Sequence, residues 1–152
     1  VCSSDLTRLR ALLVARGTWA TSVMAGGAVI ASLYYSEVAH LAPCEMCWFQ
    51  RIFMYSSAVV LTVGAVTKDP KVARYAIPLA ALGLLFSLYH YQLETFPDQP
   101  SVCSAVPGAV PCNVRYFAIY GFVSIAFMAG ATFASILALS VATLRARAAE
   151  AR

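Results

Sequence analysis

Residues 43–51 read PCEMCWFQR, and their types and spacing point to redox chemistry. Cys44 and Cys47 stand three apart behind a proline, and Arg51 follows one helical turn after Cys47. A C-x-x-C pair at a helix start favours a thiolate, because unpaired amide groups point at the sulfur and the helix dipole adds positive charge there. Pro43 suits the entry to such a helix, since it lacks an N–H that would go unpaired. Residues three and four apart share a helix face, so Cys44, Cys47 and Arg51 form one stripe. An arginine on that stripe stabilises a thiolate, or negative charge developing on a bound electron acceptor.

A second pair, Cys103 and Cys112, lies in ETFPDQPSVCSAVPGAVPCNVR, a segment rich in proline. Pro97, Pro100, Pro107, Pro111 and Gly108 disfavour helix and strand interiors. A Cys103–Cys112 bridge there is expected to close a short, largely exposed loop. Taken alone it reads as a structural staple. Exchange of a disulfide needs an accessible sulfur that is free to approach its attacker. Beside a C-x-x-C pair, a bridge on a mobile arm could pass electrons in series with it. The fifth cysteine, Cys2, has no evident partner.

The elements that position these groups are membrane helices. Of 152 residues, 61% are hydrophobic and only 12% charged, with mean hydropathy +0.73; soluble domains carry roughly 25% charged residues. A helix needs about 20 apolar residues to cross a bilayer. Four segments reach that length: about Thr18–Val38, the run after the quoted motif as far as Lys68, Ala76–Leu93, and Tyr116–Leu144. The last is longer than a span requires, so tilt or protrusion is expected. The first is too long for an ordinary signal-peptide core and is expected to remain uncleaved. The fold class is therefore an all-α membrane protein, a four-transmembrane-helix bundle formed by residues 1–152 as one domain.

Basic residues in short loops favour the cytoplasm. Arg8, Arg10 and Arg16 precede the first span, Lys68, Lys71 and Arg74 separate the second from the third, and Arg145, Arg147 and Arg152 follow the fourth. All three groups fall on one side, which puts both termini in the cytoplasm and two loops, about 39–46 and 94–115, outside. Both cysteine pairs then face a compartment that permits disulfides. From Arg51 to Lys68 a helix rises about 26 Å, so Arg51 lies near the outer edge of a hydrocarbon core about 30 Å thick. There it is either an interfacial anchor beside Trp48 or part of the site. Gly26, Gly27, Gly121 and Gly130 are expected to allow close helix packing, and Pro78 to kink the third span. Phe49, Phe53 and Tyr55 fit either a core or the wall of a ligand site.

Four spans, two outer loops and the order C-x-x-C first, loop pair second resemble the DsbB family of bacterial membrane disulfide-formation proteins. CWFQR and the short C-x8-C loop look like its BdbC-type branch. Vitamin K epoxide reductase relatives carry the two pairs in the opposite order. The resemblance implies a thiol oxidoreductase of the bacterial plasma membrane that reoxidises a DsbA/BdbD-like thioredoxin-fold partner. The electrons go to the membrane quinone pool, ubiquinone or menaquinone. It implies that Cys47 engages the quinone as a thiolate, with Arg51 beside it and Cys44 as its mate. Cys103 would form the mixed disulfide with the partner, and Cys112 would resolve it. His90, thirteen residues before Cys103, matches a histidine near the quinone; on its own, between Tyr89 and Tyr91, it reads as an interfacial polar residue. The loop is shorter than in the proteobacterial form, which has room there for an extra interfacial helix. Lipid is an expected partner and nucleic acid is not. Two rival readings are a metal centre built on the four outer cysteines and a non-enzymatic four-span scaffold with two staples.

Overall fold

A computed structural model describes residues 2–100, 103, 108 and 110–151. The Cys2 side chain lies outside the described set. Four helices account for most of the chain: α1 (Cys2–Leu33), α2 (Glu45–Val66), α3 (Val72–Thr95) and α4 (Ile125–Glu150). No strand occurs among the described residues. Each of α2, α3 and α4 is long and apolar enough to cross a membrane. α1 is a further, longer helix that ends in a π-helical turn, Tyr34–Val38.

Local chemistry sets the ends of these helices. The Cys44 sulfur caps α2 by accepting from the Cys47 N–H at 3.4 Å. Pro43 therefore stands just outside the helix rather than in its first turn. At the far end, Asp69 Oδ1 accepts from the Lys71 N–H at 2.8 Å, closing a tight turn into α3, in the manner of Asp side chains that bond the backbone two residues on. The Ser124 hydroxyl caps α4, accepting from the Phe127 N–H at 3.3 Å.

The fourth helix begins later than the hydropathy predicts. Residues 116–124 are apolar but non-helical. Tyr120 and Gly121 both have positive φ, and Ile119 and Val123 pair across the turn. Consecutive left-handed residues end a helix, whatever the hydropathy.

α2 packs between α1 and α3, and α4 packs on both α1 and α3. Ala25, Met54, Leu61, Ala76, Ala80, Phe133 and Ile136 form the central core. Outside it, Ile30, Val59 and Leu85 are 61–70% exposed. A helix apolar on both its inner and outer faces belongs in lipid.

Close approach occurs at one of the expected glycines, Gly130, and most tightly at three others. Gly26, Gly27 and Gly121 would admit a Cβ freely, and Gly130 meets only Ser87 at 3.3 Å. At Gly17, Gly64 and Gly83 a Cβ would overlap Thr143, Val72 and Phe133 respectively. These three sit where helices touch, which a hydropathy profile does not reveal. Phe49 and Phe53 stack on Phe86 of α3 at 5.1 and 5.4 Å, so they join α2 to α3.

Candidate active site

At the start of α2 the two sulfurs are unbonded and 3.0 Å apart. Cys44 is buried and Cys47 half-buried. The neighbouring α3 brings His90 Nε2 to 3.6 Å from the Cys44 sulfur. The hydrogen bond from Cys47 does most to hold the Cys44 thiol down at about 4, from an ordinary 9.0; burial opposes it, and His90 assists. The thiol held down is thus the one that caps the helix. The cause is geometric: the Cys44 sulfur accepts from the Cys47 backbone amide and lies beside both the Cys47 sulfur and the His90 imidazole.

Cys47 faces another way, into an apolar cavity of about 400 Å³ walled by α1, α2 and α4. Cys47, Gln50, Arg51, Tyr35, Tyr116 and Phe133 are among its lining residues. Arg51 donates through Nη2 to the Ser32 carbonyl at 3.2 Å and lies 5.2 Å from the centre of the Trp48 ring. Its guanidinium is thus braced against α1 at the cavity wall, beside Trp48.

His90 does not line this cavity. α3 forms none of its walls, because it packs on the opposite flank of α2. His90 lies instead in a small crevice with Cys44, Cys47, Glu94 and Tyr116. The dithiol separates it from the apolar cavity.

The loop pair is bridged, Cys103 to Cys112. Its exposure differs from the sequence expectation: Cys103 is 2% and Cys112 1% exposed. Both pack with Cys44, Met46 and Leu93 in one cluster. The bridge is thus buried beside the C-x-x-C pair. Asn113 donates to the Pro97 carbonyl at 3.2 Å and helps close it.

Two residues that the spacing argument passed over belong to the site. Tyr116 borders both the cavity and the crevice, and its hydroxyl donates to the Ala42 carbonyl at 2.6 Å. Glu94 stands 4.0 Å from His90 Nε2 with a side chain only 4% exposed. Its i,i+4 spacing from His90 was visible in the sequence, while the approach of Tyr116 was not.

The four-cysteine metal centre does not fit, because Cys103 and Cys112 are bonded to each other. Cys44, Cys47 and His90 place donor atoms within 4.8 Å of one another. Two thiolates on tetrahedral zinc sit about 3.7 Å apart, given a Zn–S length near 2.3 Å. The 3.0 Å contact is that of a hydrogen-bonded dithiol.

The family model for disulfide bond formation protein DsbB matches residues 15–143. The chain belongs to the DsbB family. Among its relatives, a probable disulfide formation protein of Oceanobacillus iheyensis is 43% identical over 78% of this chain and 81% of the relative. Disulfide bond formation protein C of Bacillus subtilis is 36% identical over 78% of this chain and 86% of the relative. Probable disulfide formation protein C of Halalkalibacterium halodurans is 36% identical over 85% and 91%. No solved structure matches. DsbB-family membership with these relatives makes the chain a multi-pass membrane thiol oxidoreductase of disulfide-bond formation. It also bears out the resemblance to the C-type branch.

Proposed function

We propose that this protein takes electrons from an extracytoplasmic thioredoxin-fold dithiol and delivers them to a membrane quinone. In this reading all four helices span the bacterial plasma membrane, both termini are cytoplasmic, and both cysteine pairs lie outside. The carrying observation is the two-sidedness of the C-x-x-C pair. Cys47 opens on an apolar cavity, while Cys44 packs with the loop bridge. The pair thus connects a lipid-soluble acceptor to a water-soluble donor.

The cavity suits a quinone in size and lining, with one sulfur and one arginine in an otherwise apolar wall. Bound there, a quinone would supply a two-electron, two-proton acceptor. Arg51 holds positive charge at the wall where negative charge develops, and Tyr116 closes the outer end. His90 serves Cys44 from the opposite side.

The thiol steps balance as exchanges. A partner thiolate attacks Cys103 and releases Cys112 as a thiolate. The partner's second thiol then breaks that mixed disulfide, so the partner leaves oxidised and the loop pair is left as two thiols. Those two thiols reduce a Cys44–Cys47 disulfide and re-form their own bridge.

Burial of the bridge adds a requirement: the Cys103 sulfur must become accessible before a partner reaches it. Trapping tests the assignment. Cys112→Ala leaves Cys103 as a free thiol, which exchanges with an oxidised thioredoxin-fold partner to give a stable mixed disulfide. Capture through Cys44 instead of Cys103 would reverse the roles of the two pairs.

A further inference from the structure

We infer that Glu94 is the positioning residue of the cysteine centre, holding His90 as the proton acceptor for Cys44 and tying that function to the loop through Arg115. The inference rests on the thiol chemistry proposed above and assigns a residue that chemistry does not need to name.

The geometry is a buried chain of charge. Glu94 Oε1 lies 4.0 Å from His90 Nε2, which in turn lies 3.6 Å from the Cys44 sulfur. The other carboxylate oxygen, Oε2, lies 3.8 Å from Arg115 Nε. Arg115 is itself held: Nη1 donates to the Gly121 carbonyl at 3.2 Å, Nη2 donates to Thr95 Oγ1 at 3.4 Å, and the guanidinium lies 5.8 Å from the Tyr91 ring centre. One carboxylate thus stands between the Arg115 guanidinium and the His90 imidazole, within ion-pair distance of both.

A buried carboxylate is costly unless it is paired. Arg115 arrives from the segment that carries the redox bridge, three residues after Cys112. The cation that orients Glu94 is thus a property of the folded loop.

The proton step is simple. The Cys44 S–H bond breaks, its proton goes to the imidazole, and the products are a thiolate and an imidazolium. No electron moves. The Glu94 carboxylate stabilises the imidazolium, and through it the thiolate. The charged and titratable groups facing this chain are His90 and Glu94 on α3, Cys44 and Cys47 at the start of α2, and Arg115 and Tyr116 from the segment before α4. Glu94 is the only carboxylate among them. A neutral amide in its place leaves His90 without a counter-charge.

The test needs neither quinone nor partner, so it can fail while the electron-transfer reading stands, and the reverse. The full chain is prepared with Cys103–Cys112 bridged and Cys44 and Cys47 reduced, and thiolate absorbance is followed against pH. Glu94→Gln is expected to raise the Cys44 midpoint by about one pH unit, a tenfold loss of thiolate at acidic pH. Glu94→Asp should restore part of that shift. In a His90→Ala background Glu94→Gln should add nothing, whereas general damage to the fold would add there too. An unchanged midpoint in Glu94→Gln, or an equal shift with and without His90, overturns the inference.

Discussion

The Cys44 sulfur lies 3.6 Å from Nε2 of His90, on the side of the dithiol that faces away from the apolar cavity. That relationship divides the work of the two cysteines. Cys44 packs with the loop bridge, while Cys47 lines the apolar cavity.

The charge on Cys44 gives a pH dependence with a definite sign. Its titration is depressed to about 4, so the thiolate persists above that pH and is lost as pH falls through it. Exchange carried by this thiolate should be nearly flat from neutral pH to about pH 5 and decline below. Cys47→Ala removes the largest cause of the depression and should move the Cys44 midpoint upward. Ultraviolet titration of reduced protein checks both, and a Cys44 midpoint near that of a free thiol contradicts the geometry.

Arg51 is braced by Ser32 rather than by an acidic residue, which leaves its charge available to the cavity. Arg51→Ala should raise the apparent quinone KM about tenfold or more, the equivalent of one lost charge-assisted hydrogen bond. Arg51→Lys should recover part of it. Steady-state rates against quinone concentration measure the effect, and an unchanged KM removes Arg51 from the acceptor site.

The buried bridge predicts protection. A bulky, charged reductant should cleave Cys103–Cys112 far more slowly in the folded protein than after denaturation, since both sulfurs are at most 2% exposed. Timed quenching with an alkylating reagent and mass analysis would show it. Equal rates would mean that the loop stands open.

Helix contacts predict unequal costs for like substitutions. Gly83→Ala drives a methyl group into the Phe133 ring, while Gly130→Ala meets only Ser87. Overpacking of this kind costs about 1–3 kcal/mol. Thermal unfolding in detergent should show a clear loss for Gly83→Ala and a small change for Gly130→Ala.

Much of this was legible in the sequence because it depends on local order. Helix number follows from apolar runs, and the C-x-x-C cap follows from cysteine spacing at a helix start. Arg51 follows from a single helical turn. What escaped depends on contacts between distant residues. The late start of α4 depends on a left-handed turn at Tyr120 and Gly121 inside an apolar run. The burial of Cys103 and Cys112 depends on their contacts with Met46 and Leu93. His90 was recognised, but its side of α2 was not, since that depends on which neighbour α3 packs against.

The most direct test follows quinone absorbance on mixing the purified protein with a reduced thioredoxin-fold oxidase and a soluble quinone. The account predicts steady quinol formation that ends when Cys47→Ala or Cys103→Ala is introduced. Undiminished turnover by Cys47→Ala protein would contradict it.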